Sequence, residues 1–276
     1  MWGCEEKMEV NPVTIETDMK IIKDEAIEAL TGKKILFGHA SVGNNIISGI
    51  EDIIESDERF NKFRFYKLAE LSQSGFYDFM VRKNRFPKEK CDHFKKTLTD
   101  QDIGNSFNIA FFKFCFVDIN SNSNVQKIFN YYEETIKHIK EKFPKLTIIH
   151  VTIPLTVHSW GPKELLINLS KGKLRNVKRI LSSFKRNLTE GDIANIKRNE
   201  FNEMLINKYK DTDPIYDLAK AESTLPDGER VTFKYKGGVY FSLAREYTGD
   251  GGHLNKLGRY HAAKELLETL SEISAK

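Results

Sequence analysis

Apolar positions along this chain follow two alternating periods. From Lys34 an unbroken run, Ile35-Leu36-Phe37, gives way to the small residues Gly38, Ala40, Ser41 and Gly43, after which Ile46, Ile47, Ile50, Ile53 and Ile54 return at helical spacing. That pattern predicts a buried strand, a tight turn and an amphipathic helix, with Ser41 in the turn. A helix over residues 17 to 30, stopped by Gly32, precedes it, and Phe63 to Leu68 reads as a second strand. Leu71 to Asp78, polar around Gly75, is expected to be a loop, continuing through Pro87 and the basic run Lys88 to Lys96 as an excursion that walls a pocket. Ile109 to Val117 is nearly continuous apolar sequence, the mark of a strand covered on both faces. A helix over 124 to 142, a buried strand from Leu146 to Ile153, an amphipathic helix over 190 to 209 and a short strand from Pro214 to Leu218 follow. Phe233 to Leu243 alternates around Gly237-Gly238 as a hairpin, and a last helix runs from 256 to 273. Strand and helix taken in turn predict an α/β fold, a parallel sheet with helices on both faces.

Length and composition change this picture little. With 276 residues, 40% hydrophobic and 30% charged, the chain can bury a full core. We expect one domain over 17 to 276, preceded by a flexible segment over 1 to 16 and carrying an insertion around 158 to 190. In that insertion Lys163, Lys171, Lys173, Arg175, Lys178, Arg179, Lys185 and Arg186 crowd together, as a lid or a solvated helical face. A net charge of +4 is too slight to imply nucleic acid as a partner, and no apolar run is long enough to cross a bilayer. The three cysteines, Cys4, Cys91 and Cys115, are too few and scattered for a disulfide framework or a zinc site, and no metal or other cofactor is expected. Met1-Trp2-Gly3-Cys4 before Glu5-Glu6 resembles the end of a bacterial lipoprotein signal whose hydrophobic part has been trimmed. On that reading Cys4 is a lipid anchor outside the cytoplasm; otherwise it is a loose thiol on a cytoplasmic protein.

The candidate chemistry lies at the two ends of the chain. A serine between a strand and a helix has its hydroxyl where α/β enzymes place their reacting groups, and its N–H at the positive end of a helix. The competing reading is a plain helix cap, since serine is favoured there. Near the other end, Thr248-Gly249-Asp250-Gly251-Gly252-His253 puts a carboxylate and an imidazole three residues apart just before the last helix. With Ser41 they make a nucleophile, a base and a group to orient the base, in the chain order Ser, Asp, His. Gly38-x-x-x-x-Gly43 has the glycine spacing of a phosphate loop, but Asn44-Asn45 stand where lysine and a hydroxyl residue are needed.

Ser41 after the first strand and Asp250-x-x-His253 before the last helix resemble the SGNH (GDSL-type) hydrolases, and the alternation between residues 33 and 270 fits that family. The resemblance implies a flavodoxin-like three-layer sandwich with a central parallel sheet, Ser41 as nucleophile, His253 as general base and Asp250 as its orienting partner. It implies an oxyanion hole built from the Ser41 N–H, a glycine N–H and an asparagine side chain, with Gly75 as the glycine. The family's Gly-Asp-Ser is here His39-Ala40-Ser41, and its Gly-x-Asn-Asp is Cys115-Phe116-Val117-Asp118, so the asparagine is missing. Asn120, Asn44 or Lys113 are the residues that could replace it, and Asp118 is expected to organise its loop. His39, Tyr77 and Trp160 are candidates for contacting substrate. The expected activity is hydrolysis of a short acyl ester, acetyl foremost, on a small molecule or glycan. The alternatives are an impaired carbohydrate-binding relative and an O-acetyltransferase using the same residues.

Overall fold

The computed structural model describes residues 22–68, 71, 73–81, 83–158 and 188–274. The 1 to 16 segment with Cys4, Trp160 and the basic cluster from Lys163 to Arg186 lie outside the described residues.

Of the helix expected over 17 to 30, residues 17 to 21 lie outside the described residues and the helix present, α1 (Asp24–Thr31), starts later than expected; strand β1 (Lys34–His39) and helix α2 (Val42–Ser56) then follow as the hydrophobic pattern predicts. The strand expected over 63 to 68 is reduced to β2 (Phe65–Tyr66), and the segment expected as a loop contains a central strand, β3 (Gly75–Met80). The polar Ser74 and Asp78 masked it, yet Phe76 and Tyr77 are fully buried, one on each face of the sheet. The basic excursion is likewise a helix, α3 (Pro87–Thr99), whose charged sequence hides a buried stripe of Cys91, Phe94 and Leu98. Its Lys90 is also buried, because Nζ donates to Asp118 Oδ2 at 2.5 Å. Strand β4 (Ile109–Phe112), helix α4 (Val125–Lys142), and strands β5 (Thr147–Ile148) and β6 (His150–Val151) follow. Helix α5 (Glu190–Tyr209), β7 (Ile215–Tyr216), helix α6 (Leu218–Ser223), the hairpin β8 (Thr232–Tyr235) and β9 (Gly238–Phe241), and helix α7 (Lys256–Ser274) complete the chain.

The strands of the main sheet lie parallel in the order β2-β3-β1-β4-β5. Residues 147 to 151 continue past β5 as β6 and change partner on the way: Ile149 N–H donates to Ala110 O, whereas His150 N–H donates to Pro214 O beside β7. Leaving aside the two-residue edge strand β2, the spatial order in chain sequence is 2-1-3-4-5, the flavodoxin-like order.

Because successive strand residues face opposite ways, each strand contributes to two cores. Ile35, Phe37, Phe76, Phe111 and Val151 pack under α1, α2, α6 and α7. Leu36, Tyr77, Ala110, Phe112 and Ile148 pack under α3, α4 and α5. The first layer is held by a close approach of α2 and α7. Gly49 lies against the backbone of Arg259, and a Cβ there would overlap Arg259 O and crowd Ala263 Cβ. Arg259 reaches back to Asp52 with Nε at 2.7 Å and Nη2 at 2.8 Å, a two-pronged ion pair beside the contact. Gly49→Ala is therefore expected to lower stability by about 1–3 kcal/mol through overpacking. Urea unfolding checks this, and an unchanged midpoint would show that the two helices separate freely.

Candidate active site

Ser41 follows β1 at the carboxyl edge of the sheet with φ +56° and ψ −112°, a backbone conformation that a side chain disfavours. It occupies the capping position of α2, but its hydroxyl makes no capping bond. Instead Ser41 Oγ lies 2.7 Å from His253 Nε2, across 212 residues of chain. The hydroxyl is thus committed to the imidazole, which the cap reading does not account for.

His253 sits in a loop that fixes it locally. Its Nδ1 is 2.7 Å from Asp250 Oδ2, while Asp250 Oδ1 accepts the N–H groups of Gly252 at 2.9 Å and His253 at 2.8 Å. A carboxylate at Nδ1 places the ring proton there and leaves Nε2 free to accept from the serine hydroxyl. The His253 N–H and the imidazole hold the Asp250 carboxyl well below the usual carboxylate range, so it stays ionised. The loop is pinned from outside as well: Leu254 N–H donates to Asn45 Oδ1 on α2, and Val157 N–H, in the segment after β6, donates to Gly251 O.

The remaining expected residues are distributed differently. Gly75 is at the amino end of β3, opposite Lys34, with its N–H committed to Lys33 O, so it is far from the serine and supplies no oxyanion donor. Tyr77 is buried in the sheet opposite Leu36 with its hydroxyl on Gln73 O, which rules out a direct substrate contact. His39 is buried too, stacked on Phe37 and bonded through Nε2 to Asp78 at 2.9 Å, so it supports the serine's turn from beneath instead of meeting substrate. Asn120 Oδ1 is taken by Asn122 N–H in a local turn. Lys113 is fully buried against Phe114 O and Cys115 Sγ, and burial holds its pKa below the ordinary value. Asn44 is exposed in the first turn of α2, and the Ser41 N–H makes no hydrogen bond among the described residues. Asp118 organises its loop as expected, accepting from Cys115 N–H and Arg85 N–H, each at 2.6 Å.

Several neighbours of the site were not legible from motifs. Phe116 lies edge-on to the His253 ring with centroids 5.5 Å apart. Beneath it α5 buries a polar stripe, Asp192, Asn195, Arg198 and Asn202, on the side where an apolar face is expected. Those residues recur at helical spacing, a periodicity that marks a common face but not that it is buried. Near them Glu222 on α6 is fully buried with Oε2 accepting Leu155 N–H at 2.9 Å. Burial pushes its carboxyl up to about 8, against that hydrogen bond and the charges of Lys113 and Arg198. Burial also brings Arg198 down to about 10, which leaves it cationic at neutral pH.

No protein-family model matches the sequence, and no curated protein matches it. In shape the chain is similar to a GDSL-like lipase from Bacteroides thetaiotaomicron VPI-5482, with 11% identity, 95% of this chain and 98% of that one covered, and a TM-score of 0.50. It also aligns with an acetyl xylan esterase, at 11% identity over 85% of this chain and 98% of that one, TM-score 0.47. A third alignment is with the periplasmic domain of a lipopolysaccharide acetyltransferase from Salmonella ser. Paratyphi A, at 14% identity over 94% and 88%, TM-score 0.42.

Two outcomes follow from this geometry. Ser41→Gly should be more stable than Ser41→Ala by about 1 kcal/mol, because only glycine relieves the positive φ, less what its looser unfolded chain takes back. Both lose the bond to His253, so equal urea midpoints would argue against strain. For Glu222 the folded pKa, about 8, lies above its ordinary 4.5, so the unfolded chain releases its proton first as pH rises. The stability this gives is full below about 4.5 and is lost through about 8. Melting curves of wild type and Glu222→Gln across that window should diverge, with the wild type falling relative to the variant as pH increases.

Proposed function

We propose that this chain, which has the fold of the SGNH (GDSL-type) hydrolases, is a serine-dependent ester hydrolase working through an acyl-enzyme. The observation that carries the reading is the continuous hydrogen-bonded line from Ser41 Oγ through the His253 ring to Asp250. His253 Nε2 takes the Ser41 proton as Oγ attacks the ester carbonyl. Negative charge on the carbonyl oxygen is received by the Ser41 N–H at the positive end of α2. Collapse breaks the ester bond, and the imidazolium returns its proton to the departing alcohol. Water then attacks the acyl-Ser41 carbonyl, giving its proton to His253 Nε2, and as the acyl bond to Oγ breaks His253 passes that proton to Oγ, releasing the acid and restoring the serine and the neutral imidazole. Asp250 remains a carboxylate throughout, holding the tautomer and stabilising the imidazolium.

The Cys115-Phe116-Val117-Asp118 turn lacks the asparagine, and a missing oxyanion donor costs on the order of a hundredfold, so either another side chain takes its role or the enzyme is slow. Asn44, next to the serine's turn, is the side chain assigned to that role. For substrate, the expectation is a short acyl ester, acetyl foremost, on a carbohydrate. A fluorophosphonate probe is expected to label wild type and to leave Ser41→Ala unlabelled. Folded wild type that resists labelling would point instead to a binding protein. In p-nitrophenyl esters of graded length, followed by acetylated glycans, acetate should be preferred, and a preference for long chains would overturn the substrate class. Product appearing only with a sugar acceptor would assign acyl transfer.

A further inference from the structure

The His253 ring is walled by Phe116, which also crowds the neighbouring position: a Cβ on Gly252 would come within 2.9 Å of the Phe116 ring and displace it. Phe116 opens a single 3-10 turn, Phe116–Asp118, and its carbonyl accepts from Arg198 Nε at 2.8 Å. The guanidinium also lies 5.9 Å from the centroid of the Phe116 ring. Through Nη1 the same group donates to Thr156 Oγ1 at 3.0 Å and Asn195 Oδ1 at 2.7 Å. Asn195 in turn accepts Thr156 N–H and donates to Thr156 O, clamping that residue on both sides. Thr156 precedes Val157, whose N–H holds Gly251 O two residues before the imidazole. Arg198 is only 5% exposed, so it does all this from inside the protein.

One buried guanidinium therefore ties together the turn that walls the imidazole and the segment after β6 that anchors the imidazole's own loop. We propose that Arg198 is a positioning residue for His253, setting the ring's orientation toward Ser41 by holding Phe116 and the 156–157 segment in register. It acts through these two segments and touches no reacting atom. Only arginine suits the place: its rigid fork addresses three neutral acceptors at once, while a lysine would offer a single mobile charge. A buried cation is costly unless it is hydrogen-bonded, and the acceptors of Nε and Nη1 are a backbone carbonyl, a hydroxyl and an amide held in place by their own bonds. The proposal rests on the ester-hydrolase reading for its kinetic consequence, but its geometric content does not.

The test uses the full chain with Arg198→Met, Arg198→Lys and Phe116→Ala, read by p-nitrophenyl acetate kinetics and by the low-field proton resonance of His253 Nδ1–H, assigned by its loss in His253→Ala. Arg198→Met is expected to lower kcat by roughly tenfold to a hundredfold with KM nearly unchanged, as for a reacting group displaced by about an ångström. The Nδ1–H resonance should shift or broaden, and Arg198→Lys should behave like Arg198→Met. Adding Phe116→Ala to Arg198→Met should cost less than it does in wild type, since both changes release the same wall. A folded Arg198→Met with the wild-type resonance and wild-type kcat overturns the proposal. If Arg198→Met does not fold, Arg198→Lys with an unaltered resonance overturns it in the same way. If wild type turns over no ester, the hydrolase reading fails by itself, and the resonance in the variants still decides whether Arg198 orients the ring.

Discussion

The distance between the serine and the imidazole is governed by the packing of the two helices that follow them. Helices α2 and α7 both start at the carboxyl edge of the sheet, and their backbones approach at Gly49 and Arg259 as closely as a missing side chain allows. Beside that contact the Arg259 guanidinium grips Asp52, and one turn from the edge Asn45 holds the N–H of Leu254. Hydrophobic burial brings the helices onto the same face of the sheet but is indifferent to register. The glycine contact and the directional polar bonds supply that register.

The serine's backbone works in the same direction. A non-glycine residue with positive φ is tolerated where its surroundings over-determine it. Here β1 ends in a His39 that is buried, stacked on Phe37 and bonded to Asp78, while the Ala40 carbonyl accepts from the Cys115 thiol. The turn is thus held by groups on β1, β3 and the segment after β4, and the strain points the hydroxyl away from the helix it would otherwise cap.

Strongly periodic elements were legible in the sequence because their burial follows one rule per element. Strand β1 and helices α2, α4 and α7 are of this kind, and so is the Ser41, Asp250 and His253 set, since each sits at an element boundary that the pattern marks. Strand β3 was not legible, as it opens on a polar segment and carries Asp78 inside. Helix α3 was hidden because its buried face includes a lysine neutralised by an aspartate 28 residues away. The failure at Gly75 has the same root: once Gly75–Met80 is a strand parallel to β1, its first residue lies at the opposite edge from the serine. Arg198 and Asn195 were missed because polar residues at helical spacing ordinarily face water, and nothing local shows that this stripe turns inward.

The imidazole and its carboxylate are carried on one four-residue turn, whereas the hydroxyl belongs to a different part of the sheet. Any drift of that turn moves carboxylate and imidazole together and leaves their mutual contact intact, so the seam lies at the hydrogen bond between Ser41 and His253. Prying the two parts of the sheet edge apart would therefore break the contact between Ser41 and His253 first, while the imidazole kept its carboxylate.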